Sequence, residues 1–492
     1  MRIVLNVNEN ELRQWHVLLL ERLAAVPSCS VEIALFNAPS RLPDGTETLF
    51  RLEAAVHGLP ARRFSARLER GGLPALPAAQ PTPPDLVIDL TGEAAQTGTR
   101  LWSLAFNGAA GEAGLVAAIL AQDTIRAEIW EDGRVLAQGR LGTEYPGVAL
   151  ATFEDVLART ITLICACVET GGPGALPPLP GEAPSAAAKS GRPLAERALR
   201  TAAGAVLRRI YRLCYRTPHW RVGWRRCEGG DLFDLKAHPA SGWTDLPDDG
   251  KRFYADPFPI ETGGAVTLFV EDYVHALGKG LISAVRFGPD GPIGAPVPVL
   301  EEDCHLSYPF VFEREGEVWM IPETNQRGTI ELFRATAFPG GWVREAVLVS
   351  GLSASDATLV EKDGLFWLFA TVRDGGGAFS DALHLWSAPD FRGPWTPHPR
   401  NPVLIDIASA RPAGRMVWRE GALWRPVQDC RRGYGAAMGL ARVLRLDREG
   451  FDQKVETLLT PGPRWPGRRL HSLNREGPYE FIDGSGTAPR WS

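Results

Sequence analysis

Five side chains that could bind a substrate or move a proton recur at nearly regular intervals in the C-terminal half of the chain. Asp256, Tyr308, Asp356, Arg411 and His471 are 52, 48, 55 and 60 residues apart. Carboxylates and histidine accept or donate protons, and the planar guanidinium of arginine binds anionic groups such as phosphate. These side chains can act together only if the fold brings them to one place.

Each of the five stands at the head of a repeated pattern. The copies read YADPFPIETGGAVTLFVEDY, SYPFVFEREGEVWMIPET, SDATLVEKDGLFWLFAT, ARPAGRMVWREGALWRPVQD and HSLNREGPYEFIDG. In most copies a polar residue precedes an apolar strand, a Gly-containing turn and a second apolar strand that ends in a polar residue. A repeat of about 50 residues built from strands and turns is typical of a propeller blade. We therefore predict a five-bladed β-propeller over residues 220–490, with the head residues around its central axis.

The N-terminal part of the chain follows a different pattern. MRIVLNV and PPDLVIDLTG indicate buried strands, and ELRQWHVLLLERLAAV indicates an amphipathic helix. Alternating strands and helices predict an α/β domain with a mostly parallel sheet over residues 1–168. The Gly-, Pro- and Ala-rich residues 169–193 predict a disordered linker. The predicted fold class is thus multi-domain, α/β plus all-β.

Between linker and propeller, residues 194–216 predict an amphipathic helix rich in arginine. Leu199, Val206 and Ile210 belong to its apolar stripe, and arginines occupy much of the remaining surface. Two interpretations stay open at this point. The helix could lie on anionic lipid headgroups, or it could pack against one of the domains with its arginines in solvent.

Composition limits the other function classes. The chain has 492 residues and a formal net charge of -5, which gives no general attraction to nucleic acid. Its seven cysteines are scattered without CxxC spacing, so neither a disulfide framework nor a structural zinc site is indicated. The N-terminal apolar run is too short for a signal peptide. We expect a cytoplasmic protein, peripheral to the inner membrane if residues 194–216 lie on lipid, and we assign no cofactor and no metal.

Several motifs carry a family resemblance. FYADPFPI, YPFVFEREGEVWMIPE, SASDATLV, HPRNPV and RPAGRMV, in this order, resemble the five-bladed propellers of furanosidase-type glycoside hydrolases. They are more similar to the propeller at the N-terminus of plant glucosamine inositolphosphorylceramide transferases, which in bacteria is fused behind a formyltransferase-like domain. PPDLVIDLTG and the order of the elements resemble that Rossmann-like domain. In the plant proteins the glycosyl transfer is expected in a separate C-terminal domain.

The resemblance implies roles for individual residues. Asp256 matches the general base of the hydrolases, and Asp356 matches the carboxylate that orients the acid and tunes its pKa. The fourth repeat departs from the pattern, because Arg411 stands where hydrolases carry the acidic Glu, and arginine cannot deliver a proton at neutral pH. The acid would have to come from elsewhere, with Glu323 or Glu271 as candidates.

The arginines suggest what the site would bind. Together with two aspartates they would favour a glycan or sugar donor with a phosphate or uronate group. Alternatively, Arg411 and Arg425 could pair with Asp429 or Asp356 and hold the blades together. The predicted substrate-binding residues are Tyr308, His305, Arg411, Arg425, Gln428, Asp429 and His471.

The N-terminal domain gives a weaker catalytic signal. Formyl transfer in the family that it resembles uses an Asn, a His and an Asp. Here NGAAGEAG follows LWSLAF, so Asn107 is present but no histidine follows. We expect this domain to be degenerate.

Two function classes follow from the sequence. One is a glycoside hydrolase or glycosyltransferase that acts on a cell-envelope glycan through the propeller hub. The other is a non-catalytic glycan-binding protein or a scaffold for polysaccharide assembly.

Overall fold

The chain forms an α/β domain followed by a ring of five small sheets. The computed structural model describes residues 1–73, 83–92, 98–180 and 194–491. Short 3-10 helices lie at Glu9–Glu11, Arg70–Gly72 and Asn325–Arg327.

The α/β domain is built around one mixed sheet. Its strands are β1 (Arg2–Asn8), β2 (Ser30–Phe36), β3 (Leu86–Asp89), β4 (Leu101–Phe106), β5 (Ala109–Ala110), β6 (Ile125–Glu131) and β7 (Arg134–Leu141). Its helices are α1 (Gln14–Ala24), α2 (Thr46–His57), α3 (Gly111–Ala121) and α4 (Ala149–Thr170). Along β1, the apolar Ile3, Leu5 and Val7 are buried and form part of the core beneath these helices.

The sheet differs from the prediction of a mostly parallel one. Its order is β2-β1-β3-β4-β6-β7, with parallel pairing from β2 to β4 and antiparallel pairing from β4 to β7. The physical reason is the tight turn at Asp132 and Gly133, both at positive φ, which reverses the chain directly between β6 and β7. A formyltransferase-like identity for this domain stays a prediction.

Five sheets make up the propeller, and their topology confirms the predicted number of blades. Blade 1 contains β11 (Arg252–Thr262), β12 (Ala265–Val274), β13 (Lys279–Gly288), β14 (Gly291–Pro292) and β15 (Val297–Leu300). Blade 2 contains β16 (Ser307–Arg314), β17 (Glu317–Thr324), β18 (Thr329–Ala337) and β19 (Gly340–Ser350). Blade 3 contains β20 (Ser353–Lys362), β21 (Leu365–Arg373), β22 (Ala382–Ala388), β23 (Thr396–Pro397) and β24 (Leu404–Ile405). Blade 4 contains β25 (Val417–Arg419), β26 (Ala422–Asp429), β27 (Ala437–Asp447) and β28 (Gly450–Leu459).

Blade 5 closes the ring with strands from both ends of the propeller. It combines β9 (Trp220–Arg226) and β10 (Thr244–Asp245) with β29 (Leu473–Glu476) and β30 (Tyr479–Ser485). Strand β30 pairs with β9 along its length, from Tyr479 opposite Arg226 to Ser485 opposite Trp220. Separate apolar clusters lie between neighbouring blades and hold the ring together. A single turn of helix, α6 (Leu232–Leu235), lies in the β9–β10 connection.

The predicted disordered linker is wrong for the part that the structure describes. After α4 ends at Thr170, the chain runs along blades 3 and 4, and the Gly174 amide donates to the carbonyl of Val403, just before β24, at 2.8 Å. Leu179 is buried in a small cluster with residues of β26, β27 and β28, and Leu176 packs against the cluster between blades 3 and 4. These two leucines help to attach the Gly- and Pro-rich stretch to the propeller. Residues 181–193 of the predicted linker lie outside the described residues.

The two domains contact each other through charged groups that are largely buried. Arg159 of α4 pairs with Asp381 at 2.9 Å, and both side chains are fully buried. The side chains of Arg140, in β7, and Asp406 form an ion pair at 3.0 Å, and the backbones of the same two residues form an isolated parallel β-bridge. Buried pairs of this kind impose a specific relative orientation on the surfaces that carry them.

A helix follows the residues that are not described. It is α5 (Leu194–Cys214), and short strands β8 (Tyr215–Arg216) and β31 (Ala488–Pro489) pair just beyond its end. Among the described residues, no helix combines the length and the apolar character that crossing a bilayer requires.

Candidate functional site

The heads of the first three blades share one backbone feature at the centre of the ring. Asp256, Tyr308 and Asp356 have φ values of 48°, 44° and 57°, and each lies in a bulge of the innermost strand. A bulge removes the N–H of its residue from the strand ladder. The freed N–H groups turn toward the hub, as the spacing of the repeats predicts for the head positions.

Carboxylates of the ring accept these N–H groups. The Asp356 amide donates to Glu323 at 3.1 Å, the Tyr308 amide to Asp256 at 3.1 Å, and the Asp256 amide to Asp483 at 2.8 Å. In each pair the acceptor belongs to the neighbouring blade, so the contacts connect blades 5, 1, 2 and 3. Carboxylates at the hub therefore connect the backbones of four of the five blades.

Asp483 is a hub residue that the sequence analysis missed. Glu271, Glu323 and Asp483 occupy corresponding places near the ends of the second strands of their blades. The signal was present, because the second strand of most repeats ends in a polar residue. A carboxylate that recurs at a strand end predicts a position at the axis as directly as the head residues do.

Asp256 is buried and electrostatically crowded. Burial raises the pKa of its carboxyl to about 7, although the neighbouring His471 opposes the shift. Its Oδ1 lies 3.5 Å from His471 Nε2. At neutral pH this group can therefore either hold or release a proton, which is what a general base requires.

Glu271 and Glu323 form the more accessible edge of the hub. Their side chains are 11% and 12% exposed, compared with 3% for Asp356. Burial, together with neighbouring carboxylates, raises the pKa of Glu271 well above its usual range and that of Glu323 to about 8. With a pKa near 8, Glu323 holds its proton at neutral pH and can donate it to a bound ligand, and the pKa of Glu271 is shifted in the same direction.

His305 lies beside this edge, where its imidazole is held in one orientation. Its Nδ1 accepts the Gly280 amide at 2.9 Å, and its Nε2 lies 3.4 Å from Glu271. Burial lowers the pKa of His305. A neutral imidazole with its proton on Nε2 therefore faces Glu271.

Asp356 and Arg411 form a closed ion pair. The Arg411 guanidinium contacts both Asp356 oxygens, at 2.6 and 3.3 Å, and the Gln428 amide donates to the same carboxylate at 2.8 Å. Arg411 also lies over the ring of Tyr434 at 4.7 Å. The fork of Arg411 is thus occupied by a protein carboxylate, as one of the two interpretations of the arginines proposed.

His471 connects two aspartates across the hub. Its Nδ1 lies 2.5 Å from Asp483, its Nε2 faces Asp256, and its ring stacks on Trp220 at 4.3 Å. Burial favours the neutral imidazole, but Asp483 and Asp256 outweigh it and raise the pKa of His471. Asp256, His471 and Asp483 each offer one ligand atom, and these atoms lie within 4.8 Å of one another, a grouping compatible with a metal ion. The imidazole between two carboxylates accounts for the geometry without one.

Three predicted binding residues do not reach the hub with their side chains. The Tyr308 hydroxyl is buried between blades, where it lies 2.9 Å from Thr358 Oγ1 and accepts the Gly414 amide. Arg425 donates to the carbonyls of Ser409 and Ala410. Asp429 pairs with Arg431 at 2.7 Å. The side chains of Tyr308 and Arg425 thus stabilise the blades, and that of Asp429 stabilises a loop. The spacing of the repeats could not show that these side chains point away from the central axis.

About half of the chain is similar in sequence to known proteins. Residues 245–477 match the family model described as "Glucosamine inositolphosphorylceramide transferase 1, N-terminal". A protein of that name from Oryza sativa subsp. japonica is 35% identical over 234 residues, which cover 46% of this chain and 31% of the relative. The Arabidopsis thaliana protein is 33% identical over 232 residues, covering 45% and 30%. The chain thus spans about a third of the length of the curated relatives that it matches.

Solved structures give a more distant likeness. A family 117 glycoside hydrolase from Zobellia galactanivorans has a TM-score of 0.35 and 12% identity, covering 54% of this chain and 91% of its own. A thermostable family-43 glycoside hydrolase has a TM-score of 0.33 and 12% identity, covering 46% and 78%. Scores of this size support no conclusion about the reaction. The propeller of this chain is similar in sequence to the N-terminal region of the plant transferases.

Proposed function

We propose that the propeller hub binds a carbohydrate and catalyses the hydrolysis or the transfer of a glycosyl group. The observation that carries the proposal is the pair of partly exposed carboxyls with raised pKa values, Glu271 and Glu323, near the Asp256 carboxyl, whose pKa is about 7. Cleaving a glycosidic bond requires one carboxyl that donates a proton and one that accepts a proton or attacks. The sequence similarity to proteins named as glucosamine inositolphosphorylceramide transferases supports a glycan or glycolipid as the substrate class.

The proposed roles follow from the proton affinities of these groups. Asp256 acts as the base, because its pKa near 7 leaves a large fraction of it ionised at neutral pH. Glu323 acts as the acid, with a pKa near 8 and a partly exposed carboxyl. Glu271 is the alternative acid, and His305 holds its carboxyl in place. Asp356 positions Glu323 through its amide and through Arg411.

Arg411 does not serve as the predicted partner of an anionic group on the substrate, because protein groups already occupy its guanidinium. Its Nε and Nη2 donate to Asp356, and its Nη1 donates to the Phe379 carbonyl and the Ser380 hydroxyl at 3.5 and 3.4 Å. We therefore assign no phosphate-binding role to this arginine, and the sugar at the hub need not be charged.

Variants with a carboxyl replaced by an amide test the proposal. We expect Glu323→Gln or Glu271→Gln to lower turnover at least a hundredfold, since general acid catalysis contributes about 10²–10⁴-fold. Glu317→Gln, at the exposed start of the same strand as Glu323, is the matched control. The assay measures released sugar and transfer products with envelope glycans and sugar nucleotides. Full turnover in both hub variants would overturn the catalytic proposal.

A second candidate function is glycan binding without catalysis. The closed contact between Asp356 and Arg411 favours it, because this carboxylate has no free oxygen to offer a substrate. A glycan that binds tightly, yields no product, and binds Glu323→Gln equally well would support this candidate over the enzyme.

The cellular setting is part of the same proposal. We propose a cytoplasmic location with contact at the inner membrane, in support of envelope polysaccharide assembly. Fractionation of cells that express the full chain tests this, and recovery in the membrane-free fraction at every salt concentration would contradict the membrane contact.

A further inference from the structure

Helix α5 rests on the α/β domain with a face that is not its apolar one. Leu194 and Ala198 of its first turns pack against the domain core, and Thr201 donates to Glu53 at 3.0 Å. Arg197 is buried 4.0 Å from the same carboxylate. The helix thus docks with a face of small and polar residues, which leaves the opposite face free.

The opposite face carries the apolar stripe of the helix. Leu199, Val206, Ile210 and Leu213 are spaced by seven, four and three residues, which places them on one side of a helix. They are between 53% and 72% exposed. An amphipathic helix in a globular domain normally buries such a stripe. Here it is exposed, and of its residues Ile210 also lines a cavity between the end of α5 and blade 5.

Arg200 and Arg209 border this stripe on its two sides, and Arg208 and Arg212 lie on the remaining surface of the helix; all four are exposed. Arg200 pairs with Glu196 at 2.9 Å, and Arg208 lies 3.2 Å from His57. The cavity between the end of α5 and blade 5 has a volume of about 1330 Å³ and is lined by Arg208, Arg212 and Arg468, among others. The acidic groups in its lining, Asp245 and Asp248, face Arg221 and His219 at 2.5 and 3.3 Å. The surface around the stripe therefore has a net positive charge.

Aromatic side chains and a fixed support complete the surface. Trp491 is 88% exposed, and its Nε1 donates to the Leu213 carbonyl at 3.3 Å. Arg490 donates to the Arg212 carbonyl at 2.7 Å, and the pairing of β8 with β31 attaches the end of α5 to this segment. Tyr211 stacks on Tyr215 at 4.7 Å. Exposed Trp and Tyr next to apolar and basic residues are typical of groups that lie in the headgroup region of a bilayer.

We propose that the exposed face of α5, together with Trp491 and the arginines around it, docks on an anionic lipid surface. The helix would lie in the plane of the interface, with the apolar stripe inserted among acyl chains and the arginines at phosphate groups. Charge complementarity favours lipid over a second copy of this chain. A second copy packed stripe against stripe would bring the arginines of the two helices together.

Co-sedimentation with vesicles tests the docking. The full chain is mixed with phosphatidylcholine vesicles that contain phosphatidylglycerol, and with vesicles of phosphatidylcholine alone. We expect binding to the anionic vesicles that weakens as salt rises, because surface attraction is screened. Ile210→Glu with Leu213→Glu should reduce the bound fraction at least tenfold, and so should Arg200→Glu with Arg209→Glu.

Matched exposed substitutions serve as controls, because none of these changes removes a buried group. Ile293→Glu, on blade 1, and Arg134→Glu, on β7, should leave vesicle binding unchanged. Equal binding of the stripe variants and the wild type would overturn the proposal, and so would an absence of binding to anionic vesicles. A dimer that Ile210→Glu dissociates, in a chain that ignores vesicles, would assign the face to a second copy instead.

Discussion

At the scale of single residues, the hub favours the protonated form of carboxyl groups that would be ionised in water at neutral pH. Burial and mutual repulsion raise the pKa of Glu323 to about 8 and that of Asp256 to about 7. Part of this destabilisation is offset by the amides that Glu323 and Asp256 accept from neighbouring blades. A group held in this way contributes to function and opposes folding at the same time.

The stability of the protein should therefore fall as pH rises from about 5 to 8. In this window the folded protein keeps the proton of Glu323, whereas the unfolded chain, with a pKa near 4.3, releases it. The folded state binds more protons, so the free energy of unfolding decreases with pH. Glu323→Gln should remove on the order of 2 kcal/mol of this decrease.

Urea unfolding at several pH values measures that difference. Glu317→Gln, whose carboxylate is exposed, should leave the slope of stability against pH as in the wild type. A Glu323→Gln slope equal to that of the wild type would show that the Glu323 carboxyl is ionised in the folded protein.

Removing Arg411 should destabilise the ring strongly. Arg411→Met would leave the Asp356 carboxylate buried with the Gln428 amide as its remaining side-chain partner, at a cost of about 3–5 kcal/mol. Asp356→Asn in the same background should recover part of the loss, because the uncompensated charge is gone. A double-mutant cycle by denaturant unfolding measures the coupling, and a loss below about 1 kcal/mol would contradict a buried, essential pair.

At the scale of elements, the bulges and the hairpins determine which side chains face the axis. Each hairpin between the first two strands of blades 2, 3 and 4 turns through two residues of positive φ: Glu315 and Gly316, Asp363 and Gly364, Glu420 and Gly421. This geometry is that of a type I′ turn, which fixes the register of both strands. In blade 2 this register in turn places the strand-end carboxylate of Glu323 at the hub.

A turn substitution should strengthen one of these hairpins. Glu420 has a φ of 50°, which costs free energy for glutamate and less for asparagine. We expect Glu420→Asn to raise the free energy of unfolding by about 0.5 kcal/mol. Glu449→Asn, in a turn where φ lies outside the left-handed region, is the control and should give no gain. Thermal and chemical unfolding measure both.

The sequence predicted the elements better than their contacts. Regular spacing of Asp256, Tyr308 and Asp356 was enough to predict five blades and the axial position of the heads, because each blade repeats the same local pattern. Spacing could not show that the Tyr308 ring turns into the core, since a bulge changes the direction of the side chain without changing the count of residues. The ordered stretch after α4 was also missed, because composition outweighed two leucines.

At the scale of the whole molecule, the two domains depend on each other through charge. The Arg159–Asp381 pair is fully buried, whereas the Arg22–Asp374 pair is partly exposed. The sequence could not predict this interface, because its partners are more than 200 residues apart and belong to patterns of different type.

Replacing Arg159 should separate the unfolding of the domains. Arg159→Met leaves Asp381 buried without its partner, so we expect a loss of about 3–5 kcal/mol and two resolved calorimetric transitions in place of a more cooperative one. Arg22→Ala should change stability by less than about 0.5 kcal/mol, as is usual for an exposed pair. Identical thermograms for Arg159→Met and the wild type would contradict the coupling.

The closure of blade 5 has a consequence for synthesis. Strand β9 emerges from the ribosome more than 240 residues before its partner β30. Until then the circle stays open, with strand β9 lacking a neighbour on that side, which is a condition that promotes pairing with other nascent chains. Chaperone dependence during translation should therefore concentrate on the interval between these two strands.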